Sequence, residues 1–244
     1  MRDGAGLDLS HPGQRRASTP VSARGHDGPR REVGTGSLVV LGTSGHAREI
    51  LTIAEAAGGY ELLGCLGPHR AAELARLPVD WLGPDDWLRD ADDNVRYVLG
   101  VGSGAVRTRL DGQLGPYRRT PARLVHPAAV VGPAVELGPG TVLWPGAVLT
   151  ADIVTGRHVH VSTNVSVGHD AVLADFATLL PGCTVAGSAR IGAGATVGAS
   201  ATVIDGISVG AGAMVGAGAA VVRDVPAGAV VVGVPARPME RRDH

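Results

Sequence analysis

The sequence predicts two architectures in one chain, a small Rossmann-like parallel α/β domain followed by a left-handed parallel β-helix. Three observations carry this. Strand, turn and helix patterns alternate from residue 37 to about 120, and beyond that an aliphatic side chain recurs at every sixth position. With 3% aromatics and 37 glycines in 244 residues, the composition suits stacked small and β-branched side chains rather than packed rings.

Residues 1–36 are rich in Arg, Gly, Pro, Ser and Asp and show no apolar periodicity. They bury too little surface to offset the entropy of ordering, and read as a disordered tail. From Ser37 the pattern changes. SLVVLG at 37–42 is a short buried strand and GTSGH at 42–46 a turn; Ile50, Leu51, Ile53, Ala54 and Ala57 then form the apolar face of a helix ended by Gly58 and Gly59. Strands follow at 60–67 and 95–101, with a helix over 105–114. This alternation makes a three-layer parallel-sheet domain over 37–120.

The six-residue repeat spans a second domain at 121–239, with a short tail at 240–244. Every sixth residue from Val131 to Val221 is aliphatic at fifteen of sixteen positions, the exception being Thr155. The position two before each of these anchors is small or β-branched, as at Ala147, Val165, Ala171, Cys183, Ala195 and Ala213. Each hexad contributes a short strand and a tight turn, three hexads close a triangular coil, and the anchors stack into an interior ladder. Residues 131–226 hold about five coils. Such a solenoid is compatible with a scaffold or an enzyme, so function rests on departures within it.

Composition excludes several classes. The formal charge is −1, every one of the 22 basic residues is arginine, and outside the N-terminal tail none cluster into a groove-sized patch, so nucleic acid is not expected as a partner. No apolar run reaches the length of a membrane span, and no signal-peptide core follows the N-terminus; Arg30-Arg31 lacks the apolar segment of a twin-arginine signal. Cys65 and Cys183 lack metal-ligand spacing and read as buried thiols in a cytoplasmic protein.

Of the solenoid histidines, His126, His158, His160 and His169, only His169 lies in a polar island, NVSVGHD at 164–170. It sits mid-hexad, away from the interior anchors, so its ring faces outward. Imidazole suits proton abstraction from an attacking amine or hydroxyl. Asp170 reaches the other ring nitrogen if the chain turns a corner there. In GTSGH, the residues Gly42, Ser44, Gly45 and His46 join a strand to a helix, where backbone N–H groups approach an anion; a tight turn without ligand gives the same pattern.

Four motifs, GTSGHAREI, HPAAVVGPAV, NVSVGHD and VVGVPARPM, together resemble the sugar O-acyltransferase family of hexapeptide-repeat acyltransferases, which includes sialic acid O-acetyltransferases and UDP-4-amino-sugar N-acetyltransferases. The resemblance covers 37–239. It implies acetyl-CoA as co-substrate, a sugar or nucleotide-sugar acceptor, no metal, and a homotrimer with its site between neighbouring solenoids. It further implies His169 as general base, Asp170 as its orienting acid, and Gly187 in VAGS beside the thioester as an oxyanion donor. Three departures stand out: Gly168 where relatives often carry Glu, Thr178 where they often carry His, and Leu66-Gly67-Pro68 with Gly102-Ser103-Gly104 where nucleotide-sugar binders carry acidic residues and an asparagine.

Two alternatives remain open at this level. A zinc enzyme of the γ-carbonic anhydrase type uses the same solenoid and needs three imidazoles on one ion, for which His158, His160 and His169 are the candidates. The other is a non-catalytic trimeric scaffold. A nucleotidyltransferase is excluded by the short segment before the solenoid and by the absence of lysine.

Overall fold

The computed structural model describes residues 36–69 and 79–239. Apart from Gly36, both expected tails lie outside the described residues.

The first domain is a five-stranded sheet of β1 (Gly36–Leu41), β2 (Tyr60–Leu66), β3 (Asp80–Gly83), β4 (Val95–Leu99) and β5 (Thr120–Pro121). Its order is β3-β2-β1-β4-β5, every adjacent pair parallel. The strands β3 and β5 were not expected, being too short at four and two residues to show a period; the second and third expected strands end earlier, at Leu66 and Leu99. Alternation along β1 splits its side chains between two cores. Val39 and Leu41 pack with Leu66, Leu88, Leu99 and Leu114, the last from α2 (Gly104–Leu114). Leu38 and Val40 pack under Ile50, Leu51 and Ile53 of α1 (Gly45–Ala57), and this core runs on into Leu124, Val142 and Trp144 of the solenoid. Because β1 lies between β2 and β4, the loops leaving β1 and β4 diverge to opposite sides and open a crevice at their carboxyl ends.

From Leu124 to Val221 the strands of the second domain span two residues each and pair parallel at a spacing of eighteen, as in His160↔Thr178, Ser166↔Thr184 and Val172↔Arg190; the closing strand Val230–Val232 pairs with Met214–Val215 and with an antiparallel Arg237–Pro238. Three parallel sheets result, one per face of a triangular prism. The first face includes 142–143, 160–161 and 178–179, the second 148–149, 166–167 and 184–185, and the third 154–155, 172–173 and 190–191. The anchors from Leu143 to Val221 are buried, as are the small or β-branched residues two positions before them except the partly buried Ile207. Thr155, the polar anchor, is satisfied inside the coil, its hydroxyl meeting Gly138 N–H (2.9 Å) and the Thr141 hydroxyl (3.1 Å).

The N-terminal domain covers the early coils of the first face, so the outward-pointing Val142, His160 and Thr178 are buried. Gly104 permits that contact, since a Cβ there would lie 2.6 Å from Phe176 O.

Candidate active site

His169 stands at the corner between the second and third faces. Asp170, next in the chain, has φ 59°, a left-handed conformation that aspartate tolerates better than most residues. This bends the backbone so that two adjacent side chains converge, and His169 Nδ1–H donates to Asp170 Oδ2 at 2.8 Å. Both are exposed, at 64% and 62% of their side-chain surface. The hydrogen bond donated to Asp170 is the main cause raising the His169 pKa, with the charges of Asp170, Asp205 and Asp152 adding to it.

With Nδ1 engaged, the basic atom available is Nε2. It lies over Gly187, one coil further on, where a Cβ would sit 2.7 Å from both Cε1 and Nε2 of His169. Neighbouring Ala186 and Ser188 N–H groups donate to Val203 O and His169 O. The Gly187 N–H makes no such backbone bond among the described residues. The missing side chain thus leaves His169 its position and leaves one amide beside it. Gly187→Ala is expected to displace the imidazole while leaving the coil intact, lowering kcat/KM by about 10-fold or more with an unchanged unfolding midpoint.

A second constellation lies on the first face. A cleft of about 890 Å³ runs between the two domains. His46, Glu49 and the residues 102–105 that lead into and begin α2 line it from the α/β side, and Trp144, Ser162 and Met214 are among its solenoid walls. His46 Nε2 lies 3.1 Å from Nδ1 of the fully buried His160, with the rings stacked at 5.2 Å and Trp144 against both. Burial lowers the pKa of each, so both imidazoles are neutral at neutral pH.

Beside this pair, Arg107 of α2 is wholly buried and brought down to about 10 by desolvation, still protonated at neutral pH. It donates to Val101 O (3.0 Å) and Gly102 O (2.7 Å) in its own domain. Across the interface it donates to His158 O (3.1 Å), Phe176 O (2.8 Å), Ala177 O (3.2 Å) and Thr178 Oγ1 (2.9 Å). Asp111 closes the same interface, accepting from Tyr97 (2.9 Å), Arg157 (2.8 Å) and His158 Nε2 (2.9 Å). Burial pushes His158 down to about 4, so it donates as a neutral ring.

The structure brings His169, Asp170 and Gly187 together. It separates them from the GTSGH turn, which lies against the first face. Within that turn His46 lines the cleft, whereas Gly42, Ser44 and Gly45 do not. Gly42 has its own structural reason, a φ of 135° and a carbonyl, Gly100 O, 2.6 Å from where a Cβ would be. Thr178 is a partner of Arg107 as well as a cleft residue. The three histidines of the zinc alternative are parted, His158 engaged by Asp111 and His160 by His46, and among the described residues no group of three or more His, Cys, Asp or Glu could hold a metal ion. Arg107 and Asp111 were missed by sequence reasoning, and His160 was considered only as a zinc ligand, not as the partner of His46; the one signal available was a histidine at an outward position of a hexad in an otherwise nonpolar stretch.

No curated protein sequence matches the chain. Residues 37–114 match the family described as the PglD N-terminal domain. Among solved structures, the acetyltransferase domain of PglB from Neisseria gonorrhoeae FA1090, in complex with acetyl coenzyme A, is 31% identical with a TM-score of 0.79, covering 84% of this chain and 100% of that one. PerB from Caulobacter crescentus, in complex with CoA and GDP-perosamine, is 31% identical with a TM-score of 0.78 over 84% of this chain and 98% of its own. WeeI from Acinetobacter baumannii AYE is 26% identical with a TM-score of 0.73 over 83% and 99%. On this identity and coverage, the chain belongs to the sugar acetyltransferases of the hexapeptide-repeat family, with a PglD-type α/β domain preceding a left-handed β-helix, and it is an acetyltransferase.

Proposed function

We propose that this enzyme transfers the acetyl group of acetyl-CoA to an amino or hydroxyl group of a sugar or nucleotide-activated sugar, with His169 as general base. The observation that carries this reading is the His169–Asp170 pair at a solenoid corner, its free Nε2 poised over Gly187. The acceptor loses its proton to Nε2 as it attacks the thioester carbonyl; the Gly187 N–H donates to the developing oxyanion; the proton then passes to the departing CoA thiolate. No covalent enzyme intermediate is required. Relatives solved with CoA and GDP-perosamine, one described as a perosamine N-acetyltransferase, favour an amino-sugar nucleotide as acceptor.

In this reading the 37–120 domain holds the acceptor in the cleft, and the 121–239 solenoid supplies the transfer chemistry. The cleft lies on the first face, and His169 on the opposite vertex of the prism. An acceptor in the cleft is therefore served by His169 of another copy, which fits a homotrimer sharing its sites between solenoids. Among the described residues no helix is long and apolar enough to cross a membrane, and both cysteines are buried and unpaired, in keeping with a cytoplasmic location.

The test is CoA release from acetyl-CoA against GDP-, UDP- and dTDP-linked amino-sugars, free amino-sugars and sialic acid. Turnover with one acceptor class supports the reading; silence across the panel despite acetyl-CoA binding removes the acceptor assignment. Asp170→Asn gives a pH signature. The base acts in its neutral form, and Asp170 raises its pKa, so losing that carboxylate lowers the pKa. The acid limb of kcat/KM is expected to move to lower pH, with a reduced plateau because the tautomer is no longer held. An unmoved limb would count against His169 as the titrating base.

A further inference from the structure

The pair formed by His46 and His160 has a proton arrangement that its surroundings decide. One proton bridges the two facing nitrogens, and which ring supplies it determines what the other nitrogen of His46 presents to the cleft. If His46 donated from Nε2, neutral His160 would carry its proton on its own Nε2, a buried atom with no hydrogen-bond partner. His46 Nδ1 would then turn a bare lone pair toward Glu49 Oε2, 3.9 Å away, lone pair against carboxylate. If His160 donates from Nδ1, the clash with Glu49 vanishes and the unpartnered His160 Nε2 is a bare acceptor rather than an orphaned N–H, which buried sites tolerate better. The buried His160 Nε2 keeps only a lone pair, and His46 holds its proton on Nδ1, close to Gly102, where a Cβ would stand 3.6 Å away.

We propose that His160 is a positioning residue that fixes the tautomer of His46, so that His46 offers a neutral Nδ1–H donor to an oxygen atom of the acceptor. This rests on the reading that the cleft holds the acceptor. Burial of both rings, with the Trp144 ring packed against each, keeps the pair neutral and fixes its geometry. Among the described residues no arginine lines the cleft, and the chain has no lysine. Side-chain donation there falls to neutral groups, among them His46, Ser103, Ser162 and several threonines. The matching chemical feature on the acceptor is a hydroxyl, carbonyl or phosphoryl oxygen on the stretch that passes His46.

The test combines a spectroscopic and a kinetic readout on the full chain. Long-range proton–nitrogen correlation of the histidine rings, with His46→Gln to assign the signals, is expected to show His46 protonated on Nδ1. In His160→Leu the His46 ring is expected to move to the Nε2–H form favoured by free histidine. The KM for the acceptor should rise about 10-fold, as for one lost hydrogen bond, with the KM for acetyl-CoA unchanged. His160→Asn, whose amide N–H reaches the place of Nδ1, is expected to restore most of both. A wild-type His46 protonated on Nε2 would overturn the proposal without need of any variant. So would a tautomer or acceptor KM that His160→Leu leaves unmoved. If no sugar in the panel is turned over, the acceptor reading of the cleft fails, a result separate from the tautomer, which still decides what His160 does to His46.

Discussion

His169→Ala is expected to lower kcat/KM by about 10²- to 10⁴-fold, the usual contribution of a positioned general base, while leaving the fold unchanged. The side chain is largely exposed and its one hydrogen bond is to the equally exposed Asp170, so nothing in the core depends on it. The loss should fall on kcat, because the proton moves only as the acceptor attacks. Acetyl-CoA binding, followed by calorimetry, should survive, since no contact of the imidazole with the solenoid interior is removed. A variant that unfolds would show that the residue is structural. A variant that keeps full activity would transfer the role of base to another group.

Arg107→Met is expected to have the largest effect on stability, about 3 to 5 kcal/mol, with a fall of roughly 10 °C in the unfolding midpoint. Methionine fills much of the volume, but His158 O, Phe176 O, Val101 O and Gly102 O, which take no other backbone N–H among the described residues, lose their donor. Each buried orphan costs about 1 to 3 kcal/mol before relaxation. The same substitution releases residues 102–105 from the solenoid, so if the cleft they line holds the acceptor, as proposed, its KM should rise in parallel. A midpoint unchanged from wild type would mean that water or a shifted backbone replaces the guanidinium without cost.

The hexad ladder was legible from the sequence because an interior position one side chain wide recurs at a fixed step, and each aliphatic anchor declares itself without reference to any distant residue. The strand–turn–helix at 37–57 was legible for the same reason, since its apolar face and its glycine stop are local. His169 also stood out, as a titratable residue in a polar island, and Asp170 as its neighbour. That the two would converge required a corner, which a period alone locates only to within a residue or two.

What only the tertiary structure decided is everything that depends on which face of the prism the first domain covers. A repeat tells inward from outward, but it treats the three outward faces alike. His160 and Thr178 occupy outward positions and would be exposed on a bare solenoid; the α/β domain buries them, and in doing so creates the Arg107 clamp, the Asp111 network and the imidazole pair beside the cleft. Those contacts join residues 46 to 160 and 107 to 178, across separations at which no local spacing carries information. Local periodicity thus determined the fold of each domain and, to within a residue or two, the corner that bears His169, while the docking of one domain on one face determined the cleft.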